Sequence, residues 1–179
     1  MLERMIKKSE KIIKRTIKAV GQRQSVLLIG DWGEELTKGI KENQNSLFLE
    51  NDINKSFSLE DNSITRIIAD FNSEIFNDSP SFYKEARRLL LPTGMIIISA
   101  NCEDGLFDKF LNLFGRKKEQ VNGIKKIKPK VLQDQIHDNG FLIDGYYGYP
   151  GGDLLMMAQI QNKEVTTLFG SEKQETIKI

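Results

Sequence analysis

One cysteine and one histidine are the whole stock of soft metal ligands in this chain of 179 residues. Cys102 alone excludes an intrachain disulfide, and together with His137 it falls short of the four ligands that a structural zinc site needs. Only 4 prolines are present, too few for a Pro-rich spacer or a fibrous repeat. No apolar run approaches the roughly 18–20 residues of a membrane-spanning helix. The first residues also lack an apolar core followed by a small-residue cleavage site, so the expected compartment is the cytosol. Chemistry is left to carboxylates, backbone groups or an organic cofactor.

What is present describes a folded protein. A hydrophobic share of 39% beside 28% charged residues is the balance of a soluble globular chain. Its length suits one domain of about 100–200 residues plus an appendage. The net charge of +1 is unevenly spread: residues 1–24 carry eight basic side chains against Glu3 and Glu10, leaving 18 basic against 23 acidic elsewhere. In that first segment Leu2, Met5, Ile6, Ile12, Ile13, Ile17 and Val20 recur at three- and four-residue spacing. This predicts an amphipathic helix with Lys7, Lys8, Lys11, Lys14, Arg15 and Lys18 around its other faces, ended by Gly21. Such a helix either docks on the domain by its apolar stripe or offers its basic face to a partner: another protein, anionic lipid or nucleic acid.

After Gly21 the pattern changes to short β-branched runs alternating with helical stretches, the signature of an α/β domain with a mainly parallel sheet. Strands are expected at 25–29, 46–50, 65–69, 95–100, 141–146 and 154–160. Helices are expected at 34–42, 81–90, 105–114 and 130–137. The last two strands flank a loop with Pro150, Gly151 and Gly152, which predicts an antiparallel hairpin at the sheet's end. Residues 163–179 read as a tail.

Two stretches carry a resemblance. Leu59-Glu60-Asp61-Asn62-Ser63-Ile64, running into Ile67 and Ile68, is similar to a loop-and-strand motif written LPFEDNSFDLVIS. Phe82-Tyr83-Lys84-Glu85-Ala86-Arg87-Arg88-Leu89-Leu90-Leu91-Pro92-Thr93-Gly94, with the strand Met95 to Ser99, is similar to ALREIARVLKPGGRLVIS. Both belong to the class I S-adenosylmethionine-dependent methyltransferases, specifically the small-molecule type 11 group, and the resemblance covers residues 25–162. It implies a Rossmann-like sheet with helices on both faces, closed by the C-terminal hairpin. The implied organisation is a basic helix at 1–24, a methyltransferase-like domain at 25–162 and a tail at 163–179.

The resemblance also implies where a cofactor would lie. Val26-Leu27-Leu28-Ile29-Gly30-Asp31-Trp32-Gly33-Glu34-Glu35 stands in the place of the family's VLDVGCGTG. Glycines are wanted in that turn because the backbone passes close to the methionine and ribose portions of S-adenosylmethionine. Gly30 is in register, Trp32 occupies the second glycine position and Glu34 the third, unless a one-residue shift brings Gly33 into use. Leu28 replaces the usual acid; Glu34 and Glu35 are the nearby carboxylates. Gly30 and Asp61 are 31 positions apart, where two βα units of roughly 20–25 residues each would be expected, so one βα unit is missing. If 46–50 is the second strand, Glu50 is placed for the ribose hydroxyls; if the third, Asp52 is placed near the adenine.

At the end of the following strand, Asp70 and Phe71 would face the reacting end of the cofactor, with Asp70 as a base or orienting group or else a loop carboxylate. The implied activity is methyl transfer from S-adenosylmethionine to a small or medium acceptor. A non-catalytic member of the fold, acting as a scaffold or binding subunit through its basic helix, is the alternative. Arg66 in a central strand needs a partner or a route to water. His137 sits at a helix end, an ordinary place for it. Tyr146, Tyr147 and Tyr149 either line a pocket mouth or pack the hairpin. The apolar run Leu106 to Phe114 and the lysines that follow it read as a helix with a solvated loop, or as a lid.

Overall fold

The computed structural model describes residues 10–30, 32–50, 58–71, 79–102, 126–149 and 152–161. In chain order its elements are α1 (Glu10–Val20), β1 (Ser25–Ile29), α2 (Gly33–Lys41), β2 (Ser46–Glu50) and β3 (Ile64–Asp70). There follow α3 (Ser79–Leu89), β4 (Leu90–Asn101), α4 (Pro129–Asp138), β5 (Phe141–Gly148) and β6 (Asp153–Ile160). The expected helix at 105–114, residues 1–9 of the basic segment and the tail at 163–179 lie outside the described residues.

All six strands join one sheet in the order β2-β1-β3-β4-β6-β5. β1 is parallel to β2 and β3, and β3 to β4, whereas β6 runs antiparallel to both β4 and β5. The architecture is therefore the expected mainly parallel sheet with a C-terminal hairpin. β2 hydrogen-bonds directly to β1, with Ile29 opposite Glu50, so residues 46–50 take the place of the second strand. In the order 3-2-1-4-5 of doubly wound folds, no described strand fills the third place.

Period-two alternation divides the core. Leu27, Ile29, Ile67, Ala69, Ile96 and Ile98 point to one face, where α3 and α4 supply Phe82, Tyr83, Leu89, Leu132 and Ile136. Val26, Leu28, Ile68 and Ile97 point to the other, covered by Ile13 and Val20 of α1 and Leu36 and Ile40 of α2. Burial on both faces is why these strands read as continuous apolar runs. Gly39 lets the two helices of that second layer touch: a β-carbon there would stand 2.5 Å from Ile17 Cδ1. The apolar stripe of α1 is thus docked, with Ile12, Ile13, Thr16 and Val20 buried. Its Arg15 guanidinium lies 3.8 Å from the centre of the Tyr147 ring of β5, a cation–π contact. Lys11, Lys14 and Lys18 remain exposed.

The two stretches that carry the family resemblance meet at the amino edge of the sheet. Arg88 pairs with the Asp61 carboxylate, donates from Nη1 to the Leu59 carbonyl at 3.0 Å and from Nη2 to Glu85 Oε1 at 2.6 Å. Its hydrogen bonds to Glu85 first, then to Asp61, hold its pKa above the usual arginine value. The Asn62 amide donates to the Arg88 carbonyl at 3.0 Å, and Asn62 takes a left-handed φ of 52°, a conformation that Asn tolerates. The loop before β3 is thereby tied to the end of α3. Pro92, Thr93 and Gly94 lie within β4, where the pairing with β3 jumps from Ile64–Leu90 to Arg66–Met95; Pro92 and Thr93 are exposed.

Thr65, at that irregularity, replaces a ladder bond with its side chain. Its Oγ1 accepts from the Ser25 amide at 2.9 Å and donates to the Ser25 carbonyl at 3.0 Å. Arg66 is half-buried, donates from Nη1 to the Thr65 carbonyl at 2.7 Å, and leaves Nε buried without a partner among the described residues. Burial lowers its pKa from the ordinary value.

Candidate functional site

The chain leaves β1 for β2 on one side and returns to β3 on the other, so the strand order reverses between β1 and β3. At such a switch point two consecutive connections diverge and open a crevice beyond the carboxyl ends of the strands. The residues that reach it are Gly30 after β1, Glu50 at the end of β2, and Asp70 and Phe71 at the end of β3.

Gly30 has φ +94° and abuts the next strand: a β-carbon on it would lie 3.1 Å from Asp70 Cβ. The left-handed φ favours glycine, and the close approach leaves a side chain little room. Asp70 is buried, 6% exposed, in the pair opposite Ser99 of β4. The Phe71 amide then donates to the Ser99 carbonyl at 2.8 Å, and its ring stacks edge-on to Phe82 at 5.7 Å. Phe71 thus anchors the turn after Asp70 from the core side.

Trp32 sits beside the crevice, but its indole belongs to the core. It is 4% exposed among the residues of the α1–α2 layer, and Nε1 donates to the Ile29 carbonyl at 2.9 Å. Gly33 starts α2 with φ +72°, and a β-carbon there would meet nothing within 4 Å. The helix begins without a side-chain cap and carries Glu34 and Glu35 in its first turn. Leu28, in the place of the family's acid, is buried in the core. Asp31 and Asp52 lie outside the described residues, and of Glu50 only the backbone position is described. Position brings together Gly30, Gly33, Asp70 and the end of β2; the side chains of Trp32 and Phe71 turn into the core.

His137 lies at the opposite edge, at the end of α4, exposed and 3.9 Å from the Asp138 carboxylate. Among the described residues no group of His, Cys, Asp and Glu is placed to hold a metal ion, and no helix is long and apolar enough to cross a membrane. Two of the three tyrosines lie in β5 and divide by strand alternation. Tyr147 packs against α1, whereas Tyr146 projects to the other face and lines a cavity with Met156 and Cys102.

No family model matches the sequence, and no curated protein matches it. Solved structures do. A Burkholderia thailandensis 1,6-didemethyltoxoflavin-N1-methyltransferase, solved with 1,6-didemethyltoxoflavin and S-adenosylhomocysteine bound, superposes with a TM-score of 0.63 at 12% identity, covering 86% of this chain and 78% of that one. An S-adenosylmethionine-dependent methyltransferase from Aquifex aeolicus gives 0.51 at 15% identity over 83% of this chain and 89% of its own. The pyocyanin biosynthetic protein PhzM gives 0.60 at 12% identity over 83% of this chain, which spans 54% of its length. With the strand order, the glycine turn after β1 and the antiparallel β5–β6 pair, these likenesses give the chain the fold of the class I S-adenosylmethionine-dependent methyltransferases.

Proposed function

We propose that the chain binds S-adenosylmethionine in the crevice between β1 and β3 and transfers its methyl group to a small or medium acceptor. The observation that carries this reading is the left-handed Gly30 packed against Asp70 at the switch point. It is the geometry that lets a backbone turn approach a ligand closely at the place where open α/β sheets bind one. Gly33 adds open space at the start of α2.

Charge narrows the ligand class. Glu34 and Glu35 stand in the first turn of α2, Glu50 and Asp70 end β2 and β3, and Asp31 and Asp52 come shortly after β1 and β2 in the sequence. A dinucleotide's pyrophosphate would meet repulsion there, because phosphate sites at helix N-termini rely on positive potential. A cationic nucleoside meets attraction. When bound, S-adenosylmethionine supplies a methyl carbon activated by a sulfonium. The chain's own residues then divide the remaining work. Gly30, Asp31 and Gly33 border the methionine part, Trp32 supports that turn from the core, and Glu50, at the end of the second strand, takes the ribose hydroxyls. With Leu28 in the core, the ammonium partner falls to Asp31, Glu34 or Glu35. Asp70 orients the acceptor and takes up its proton, while Phe71 fixes the turn that holds Asp70. Rate then comes mainly from holding the acceptor in line.

One observation favours a second reading, a non-catalytic member of the fold. Trp32 and Leu28 fill the core where the family has a glycine and an acid, and the exposed lysines of α1 form a basic face suited to a protein or anionic partner. Titration calorimetry with S-adenosylmethionine decides between the two. Micromolar binding, about −8 kcal/mol, supports the first; no heat from a folded sample supports the second.

A further inference from the structure

β2 ends the sheet on one side and β5 on the other, and among the described residues no strand lies beyond either. The two edges are built differently. The pairing of β5 is interrupted by an irregularity between Ile143 and Gly145, and the intervening Asp144 is exposed; bulges and charges are the usual guards of an edge strand. β2, Ser46-Leu47-Phe48-Leu49-Glu50, pairs with β1 without interruption and contains no proline or lysine. Leu47 packs on the core beneath α1 and α2, so by alternation Leu49 shares its face and Phe48 points to the other. Leu49 is 62% and Phe48 38% exposed, which leaves an apolar side chain on each face of this edge.

We infer that the outer edge of β2 is a self-association surface, and that its occupant is β2 of a second copy of this chain, paired antiparallel about a two-fold axis through Phe48. Centred there, every residue of the strand finds a partner: Phe48 opposes its own counterpart, Leu47 opposes Leu49, and Ser46 opposes Glu50. An aromatic pair then covers one face and leucine pairs cover the other. Charge complements the same arrangement. In α2, Leu36 and Ile40 face the sheet and Gly39 faces Ile17 of α1. α1 packs on β4 and β6, whereas α2 packs on β2. The stripe Glu34, Thr37, Lys41, at three- and four-residue spacing, therefore lies on the side of α2 toward the free edge. Two-fold pairing sets the two α2 helices antiparallel on one face of the joined sheet, so Glu34 of each copy comes level with Lys41 of the other. Each β2 edge is then used, and the assembly closes as a dimer. The carboxyl edges of the two sheets point in opposite directions, so each copy keeps its own crevice and the inference stands apart from the methyl-transfer reading.

The test is analytical ultracentrifugation of the full chain. A reversible dimer of two 20.5 kDa chains is expected. Leu49→Lys, at an exposed position, should fold and weaken the dimer by about tenfold or more, as a lysine on an edge strand does. Lys41→Glu should weaken it by about threefold, and adding Glu34→Lys to the same chain should restore it. Cα atoms directly opposite in an antiparallel pair stand about 4.5–5.5 Å apart, a separation that a disulfide spans. Phe48→Cys should therefore cross-link into a dimer on mild oxidation, while Leu142→Cys on β5 stays monomeric; Cys102 is buried and does not compete. A chain that remains monomeric at millimolar concentration, or a dimer indifferent to Leu49→Lys, overturns the surface. Cross-linking of Leu142→Cys as fast as that of Phe48→Cys overturns the choice of edge. Open assemblies larger than a dimer, or no rescue by the charge exchange, overturn the two-fold pairing. If Phe48→Cys does not fold, Leu49→Lys and the charge exchange decide.

Discussion

Gly30 and Asp70 touch across the switch point: a β-carbon on Gly30 would stand 3.1 Å from Asp70 Cβ, at a φ of +94°. The pair joins fold to site, because the contact that lets β1 and β3 end side by side also places the buried carboxylate at the crevice. Gly30→Ala is expected to lose about 1–3 kcal/mol of stability from backbone strain alone, with a further loss from displacing Asp70. Denaturant unfolding of the two proteins checks this. A variant as stable as the parent would show that the turn does not need its left-handed residue.

Arg88 holds the amino edge, and its removal should leave the opposite edge untouched. Arg88→Ala is expected to cost about 1–2 kcal/mol, because it loses hydrogen bonds from a charged donor to partly exposed partners. Ligand affinity should not change. Paired unfolding and titration measurements separate the two effects; loss of affinity in a folded Arg88→Ala protein would contradict the assignment of these residues to scaffold.

Tyr83 is fully buried, and its hydroxyl has no hydrogen-bond partner among the described residues. Burial raises its pKa above the ordinary value near 10. Between that value and the raised one, the unfolded chain loses a proton that the folded chain keeps, so this residue's contribution to stability falls as pH rises above about 10. Tyr83→Phe is expected to match or exceed the parent's stability at neutral pH, since it removes an unsatisfied group. Its advantage should widen above pH ~10. Denaturant melts at pH 7 and 10.5 test both parts.

Much of the fold is legible in the sequence because burial on both faces writes β1, β3 and β4 as apolar runs, and because Pro150 to Gly152 mark the hairpin. The most family-like residues, Asp61 and Arg88, are legible for a different reason: they clamp a loop to a helix at the amino edge, opposite the crevice. The candidate site is written less clearly. Spacing alone leaves residues 46–50 as second or third strand, and only the hydrogen bonds from β1 to β2 decide it. Nor does spacing reveal that Trp32 turns its indole into the core, which depends on α1 and α2 together covering that face of the sheet. The cavity at Tyr146 and Met156 brings the β5–β6 hairpin together with α4 and with Cys102 beyond β4, a tertiary meeting that local periodicity does not encode.

The docked stripe of α1 makes a further point measurable. Because Ile12, Ile13, Thr16 and Val20 are buried, deleting residues 1–20 should destabilise the domain and expose apolar surface, which raises binding of a hydrophobic dye. Reversing Lys11 and Lys18 to Glu should leave stability within about 0.5 kcal/mol and weaken any binding to anionic vesicles. A truncated chain that melts like the parent would show that α1 is an independent appendage.

The central claim is a ligand at the crevice, and Gly33 gives the most direct way to test it. Asn tolerates a left-handed φ, and a side chain at this position enters open space, so Gly33→Asn should fold. Calorimetric titration of both proteins with S-adenosylmethionine is expected to show micromolar binding to the parent and at least a tenfold loss, about 1.4 kcal/mol, in Gly33→Asn. No heat from the folded parent, or equal affinity in the two, would contradict the account.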